Sequence, residues 1–234
     1  MAFIGKPCDV SALRQLATLD SRVDRHIKLV LSFFCGGIPS HDGVGRILAA
    51  MGIDSDDVSS FRYRGNGWPG KAVATTHSGQ TGEMSYAESW GDFLSKEVQF
   101  RCKICPDAVG GVADIACADA WYGGETGYPT FEELDGRSLI VTRSEIGQEF
   151  LLAAEAAGAL STTPLEVREI NLMQPSQASR KRLVRARLAA LTATLQPQPN
   201  VVGLMVAEAS RSASKREQLK NFLGTIRRII VRRR

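Results

Sequence analysis

The sequence predicts an α/β protein, mixed α+β in detail. A central, largely parallel sheet carries flanking helices, cysteine loops at one sheet edge and a helical basic C-terminal tail. Three observations predict it. Short apolar runs alternate with segments of helical period. Two of those runs, Ala2-Phe3-Ile4 and His26 to Phe34, each lead through a cysteine-bearing turn into a helix. The last stretch is rich in Arg and Lys at helical spacing.

The elements follow in order. Ala2 to Ile4 reads as a strand end, Gly5 to Asp9 as the loop after it. Asp9 or Ser11 caps a helix through about Leu19, with Leu13, Leu16 and Leu19 on one face. A strand this early implies that sheet partners normally found upstream are absent. His26 to Phe34 is a strand apolar enough to be central. It ends at Cys35 and Gly36-Gly37-Ile38-Pro39, and Ser40 caps a helix from His41 to Met51. Val58 to Tyr63 and Ala72 to Thr76 are strands joined by the loop Arg64 to Lys71. Tyr86 to Phe100 is a helix with Trp90, Phe93 and Leu94 on its apolar face, entering the Cys102–Cys105 turn. Val112 to Ala120 is strand-like, and a loop follows through Gly123 to Gly127. Leu139 to Arg143 is a strand, and Ile146 to Ala157 a helix closed by Gly158. Leu165 to Ile170 is a short extended element. Ala178 to Leu195 and Lys215 to Arg234 are basic helices, the first stopped by Pro197. The domain organisation expected is a core of residues 1–172 and a basic tail of 173–234.

Composition narrows the function classes. The chain has 234 residues, 44% hydrophobic and 23% charged, enough for a real core. A net charge of +4 is too mild to argue for nucleic acid by itself. No run is apolar and long enough to span a membrane, and no leader is visible, so the expectation is a cytoplasmic protein with reduced thiols.

Five cysteines in a chain this long are not a disulfide scaffold. Cys8, Cys35, Cys102 and Cys105 all stand beside Gly or Pro in loops. Parallel neighbours would bring Cys8 and Cys35 to one carboxyl edge, where open α/β sheets place ligands. Four such thiols suit a cubane iron–sulfur cluster, a structural zinc, a thioredoxin-like pair at 102 and 105, or no ligand at all. Cys117, in an apolar run, reads as a buried thiol outside the set. The Arg64 to Lys71 loop, with Gly65, Trp68, Gly70 and Lys71, has the backbone donors to hold a phosphate and an aromatic to stack on a ring. The commoner reading of such a stretch is a β-hairpin with an elaborate turn.

Six ordered motifs then carry a resemblance: KPCD at Lys6–Asp9, FFCGGIPS at Phe33–Ser40, YRGNGWPGK at Tyr63–Lys71, RCKICPD at Arg101–Asp107, ADIACADAW at Ala113–Trp121 and GRSLIVTRSEIG at Gly136–Gly147. Together they resemble the C-terminal region of the coenzyme F420 hydrogenase/dehydrogenase beta subunit family. That family includes flavin-plus-iron–sulfur subunits, chlorophyll reductases and bacterial members that sit in polysaccharide gene clusters, hence an expected link to polysaccharide biosynthesis. The resemblance implies one [4Fe–4S] cluster on Cys8, Cys35, Cys102 and Cys105, with Asp119 matching the family and Cys117 departing from it. It also implies FAD, for which Arg64, Gly65, Trp68, Gly70, Lys71, Asp114, Asp119 and Trp121 are the candidate lining. No catalytic acid is named; His41 is the nearest candidate, while His26 and His77 read as ordinary strand or surface residues.

Family members carry a further N-terminal region that this chain lacks. A redox partner protein or a missing N-terminal half is therefore expected, and the flavin site is then incomplete. The expected function is an iron–sulfur flavoprotein oxidoreductase that relays electrons between a hydride carrier and a redox partner or substrate. The alternatives are a truncated, non-catalytic metal-binding or assembly partner, and a binding protein whose Arg227 to Arg234 touch a membrane surface or polyanion.

Overall fold

A computed structural model describes residues 1–124 and 128–232 of the chain. In chain order, the elements are Ala2–Ile4 (β1), Pro7–Ala17 (α1), Arg22–His26 (α2), Leu29–Phe33 (β2), His41–Ala50 (α3), Val58–Arg62 (β3), Ala72–Thr76 (β4), Thr81–Met84 (β5), Tyr86–Glu88 (α4), Phe100–Lys103 (α5), Ile115–Asp119 (β6), Ser138–Thr142 (β7), Glu145–Ala156 (α6), Ile170–Met173 (α7), Pro175–Ala193 (α8), Val206–Ser210 (α9) and Lys215–Arg232 (α10). A π-helical turn, Ser89–Leu94, follows α4. The chain forms two compact units. The first holds Met1–Gly36, Ile104–Ala118 and Ser138–Arg234; the second holds Gly37–Lys103 and Asp119–Arg137.

The first unit carries a four-stranded sheet in the order β1-β2-β6-β7. β1 and β2 are parallel, as are β2 and β6, with Phe3 opposite Val30 and Leu31 opposite Ile115. The expected largely parallel sheet is present. Val10 of α1, Val30 of β2 and Ala113 are buried together, with Phe3, Leu13, Ile27 and Val112 around them. α1 thus covers one face through Val10 and Leu13, the i, i+3 spacing of a helical stripe.

One buried acid knits this unit. Asp114 is 6% exposed. Its carboxylate accepts the Val30 N–H at 2.7 Å, the Arg14 guanidinium at 3.1 Å and the Ser144 hydroxyl at 2.8 Å. Ser144 in turn caps α6 by accepting the Gly147 N–H at 3.1 Å. Gly147 has no room for a side chain, because a Cβ there would lie 2.3 Å from the Asp114 carbonyl oxygen. α1, β2, β6 and α6 therefore meet at one carboxylate.

α8, α9 and α10 pack together in the same unit. Leu183, Val184, Leu188 and Leu191 bury the inner face of α8, and Thr225 and Ile229 that of α10. Arg227 and Arg228 are exposed on α10, while Arg233 and Arg234 lie outside the described residues. No helix among the described residues is long and apolar enough to cross a membrane.

The second unit is built on the antiparallel sheet β3-β4-β5. Leu48, Ile53 and Ala74 form its core, flanked by Val44, Met51, Val58 and Phe61.

Several expectations are corrected. α1 starts at Pro7, earlier than Asp9, since proline at the first helical position loses no hydrogen bond. Cys8 therefore lies in the first turn of a helix. His26 ends α2 and does not open the strand, which starts at Leu29. Ser40 precedes α3, but its hydroxyl bonds Glu97 at 3.0 Å and caps nothing. Tyr86 to Phe100 is not one helix: α4, the π-turn and an irregular stretch come before α5. Leu165 to Ile170 is not extended, because Val167–Glu169 is a 3-10 turn leading into α7. The loop residues Glu125, Thr126 and Gly127 lie outside the described residues.

Replacing Asp114 by Ala should strand the Arg14 charge and the Val30 N–H. The expected cost is about 3 kcal/mol, read as a lower urea midpoint of unfolding. An unchanged midpoint would contradict the knot.

Candidate functional site

The cysteine loops of the first unit come first. β1 and β2 run parallel, so their carboxyl ends share one sheet edge. The chain leaves β1 through Gly5-Lys6 into α1, which carries Cys8, and leaves β2 through Phe34 to Cys35. The Cys35 N–H donates to the Ala108 carbonyl at 2.9 Å, which ties that loop to the one following Cys105. The Cys105 charge acts to raise the Cys8 thiol, after burial and Asp9, and Lys6 feels both Cys8 and Cys35. Cys8 and Cys35 thus follow the two strand ends, and the loop after Cys105 is bonded to the Cys35 loop. Cys102 belongs to the second unit, in α5.

The backbone amides of Asp107 and Ala108 act to lower the Cys105 thiol. The Ile38 N–H donates to the Cys102 sulfur at 3.5 Å. Burial nonetheless pushes the Cys105 and Cys8 thiols above their ordinary range, so both favour the protonated form. Cys117 pairs opposite Phe33 within β6, and burial raises it too. None of the five cysteines is in a disulfide. Among the described residues, no three His, Cys, Asp or Glu side chains are grouped to hold a single metal ion. A tetrahedral zinc needs its sulfurs about 2.3 Å from one point. A cubane takes one thiolate on each of its four irons. Four unbridged cysteine thiols are the donor type that either group takes.

Asp107 organises the turn after Cys105. It is 2% exposed. Its carboxylate accepts the Gly111 N–H at 2.9 Å and the Val109 N–H at 3.3 Å. Lys181 of α8 stands 3.7 Å away. Burial lowers the Lys181 ammonium, while the Asp107 charge opposes that shift. Arg180 donates to the Cys35 carbonyl at 3.2 Å and to the Gly36 carbonyl at 2.8 Å. Sequence reading placed neither residue at the site. The available signal was spacing: Arg180 and Lys181 stand four and three residues before buried Val184, on its face of the helix.

The second unit holds the aromatic candidates. Arg64 forks onto Asp119 at 2.8 and 3.4 Å and lies 5.3 Å from the ring centres of both Tyr86 and Trp121. Trp68 stacks on Trp121 at 4.5 Å and donates its indole N–H to Asp119 at 3.2 Å. The backbone N–H groups of Trp68 and Gly70, candidates for holding a phosphate, donate to the Glu133 carboxylate at 2.9 and 2.8 Å. Gly70 has φ +72°, and a Cβ there would strike the Gly65 backbone at 2.6 Å. Lys71 pairs with Glu83 at 2.6 Å on the surface.

Beside this knot lies a cavity of about 580 Å³, lined by Gly37 to His41, Tyr63, Arg64, Tyr86, Ser89, Trp90, Leu94 and Gln99. Of the eight predicted flavin-lining residues, only Arg64 lines it. Gly65, Trp68, Gly70, Lys71, Asp119 and Trp121 belong to the same unit but not to its lining, and Asp114 belongs to the first unit. Tyr63, Tyr86 and Trp90 were missed as lining, since in sequence they read as strand and helix core. His41 is at the cavity mouth on the first turn of α3; His26 and His77 are exposed elsewhere.

The family model for the C terminus of the coenzyme F420 hydrogenase/dehydrogenase beta subunit matches residues 1–168. Among solved structures, the chain is similar to one from the F420-reducing [NiFe] hydrogenase complex of Methanosarcina barkeri, at 20% identity and a TM-score of 0.49, over 84% of this chain. This chain spans 64% of that relative's length. No curated protein sequence matches.

Replacing Asp119 by Ala should free Arg64 and the Trp68 indole together. The expected outcome is altered tryptophan fluorescence and a loss of about 1–2 kcal/mol in stability, read from denaturant curves. Unchanged fluorescence would contradict the knot.

Proposed function

The chain belongs to the coenzyme F420 hydrogenase/dehydrogenase beta subunit family, matched over its C-terminal region, and on that premise we propose that it is an iron–sulfur flavoprotein oxidoreductase. Electrons would pass between a flavin or hydride carrier and a redox partner protein or substrate. The observation that carries the reading is that Cys8 and Cys35 follow the carboxyl ends of the parallel strands β1 and β2, and that the Cys35 N–H is bonded to the loop after Cys105. Cys102 is the proposed fourth ligand, on its motif and on the N–H that its sulfur accepts.

When bound, a [4Fe–4S] cluster would supply single-electron transfer and FAD would supply hydride exchange. The chain's own residues do the rest. Four thiolates would hold the cluster, and backbone N–H groups of Asp107 and Ala108 soften the charge on the Cys105 sulfur. The 580 Å³ cavity falls within the roughly 300–1,000 Å³ of small-molecule sites. Tyr63, Tyr86 and Trp90 offer it aromatic walls, and Arg64, held by Asp119, offers a fixed cation. We propose this cavity as the site for the flavin ring. The expected cytoplasmic setting rests on the sequence composition, and the link to polysaccharide biosynthesis on the resemblance alone.

One observation favours a second reading, that of a non-catalytic metal-binding or assembly partner. The Trp68 and Gly70 amides are engaged by Glu133, so the loop is complete without a ligand.

Anaerobic purification separates the readings. The oxidoreductase should carry about four iron and four sulfide per chain, losing most of both when Cys8, Cys35, Cys102 or Cys105 is changed to Ser. Cys117→Ser should lose neither. Stoichiometric zinc would overturn the cluster. FAD binding, followed by flavin fluorescence, should weaken about three- to ten-fold in Tyr86→Ala or Trp90→Ala, from ~0.5–1.5 kcal/mol per stacked ring. Iron without any flavin affinity would favour the second reading.

A further inference from the structure

We propose that Arg180 and Lys181 of α8 are positioning residues of the cysteine site, clamping the backbone of both loops and supplying fixed positive charge beside them. The proposal rests on the cluster reading given above and extends it to a helix that begins at Pro175, beyond the 1–168 family match.

The contacts are directed at the loops themselves. The two terminal nitrogens of Arg180 divide between consecutive carbonyls, Cys35 at 3.2 Å and Gly36 at 2.8 Å. Lys181 donates to the Pro106 carbonyl at 3.2 Å, one residue past Cys105, and faces the Asp107 carboxylate at 3.7 Å. With the Cys35 N–H on the Ala108 carbonyl, the two loops and the helix close into one hydrogen-bonded ring. A planar guanidinium can span two carbonyls, and an ammonium cannot hold that fork.

Charge adds a second role. Four thiolates around a cluster make an anionic site, which becomes more anionic on reduction. Cations fixed nearby in a poorly solvated setting favour the reduced form. Lys181 is only 16% exposed, so solvent screens it little.

The test compares Arg180→Gln, Lys181→Gln and, as control, Arg185→Gln. Arg185 is exposed on the same helix. In full-length, anaerobically reconstituted protein, the first two should lose iron to a chelator about ten-fold faster and show a more negative midpoint potential. The control should match wild type in both. Arg180→Lys should keep the potential yet still lose iron faster, separating charge from clamp. It also serves if Arg180→Gln does not fold.

A metal-free arm stands apart from the cluster. Under conditions where every variant is folded by circular dichroism, iodoacetamide should alkylate Cys35 faster in Arg180→Gln and Cys105 faster in Lys181→Gln, relative to Cys8. Equal iron loss, potential and alkylation in all variants would overturn the proposal. If wild type takes up no iron, the cluster reading falls, and the alkylation rates alone decide the clamp.

Discussion

A carboxylate with almost no access to water must be compensated, and Asp107 is such a group. It lies two residues after Cys105 and is 2% exposed. Leaving it unpaired would cost several kcal/mol. Two backbone N–H groups and Lys181 meet that demand. The consequence reaches far along the chain. A residue at position 107 fixes where a helix starting at Pro175 must lie. That helix then brings Arg180 onto the Cys35 loop. The local shape of the cysteine loops and the packing of the C-terminal helices are therefore one problem with one solution.

Asp114 plays the matching role at the start of β6. Its carboxylate joins α1, β2 and the cap of α6, which sets the strand register on which the cysteine edge depends. Both acids are buried, and every buried side-chain polar atom among the described residues has a partner. The sheet edge is thus held by directed bonds as well as by the apolar contact of Val10 with Val30. In the second unit Asp119 does the same for Arg64 and Trp68. What it braces is an aromatic wall beside a cavity.

Much of this was legible in the residues. The apolar runs and the cysteine turns predicted the parallel pair β1 and β2 and the shared position of Cys8 and Cys35. Those signals are local, because a strand's period and a turn's Gly or Pro are written within a few residues. The rest depends on distant partners. Arg180 and Lys181 read as part of a solvated basic helix, and only the acid at 107 turns them inward. Trp68 read as a ring free to stack on a ligand, whereas Trp121 takes one of its faces. His26 was drawn into a strand by its apolar neighbours, although Asp20 and Arg22 start a helical turn there. The cavity left no mark in sequence, since Tyr63, Tyr86 and Trp90 come from separate elements with no common period.

Electron paramagnetic resonance of the anaerobically isolated, dithionite-reduced chain tests most directly whether the cysteine loops hold the proposed iron–sulfur cluster. The account predicts the signal of a reduced cubane, absent when Cys105 is replaced by Ser. A reduced sample with no such signal, carrying stoichiometric zinc in its place, would contradict it.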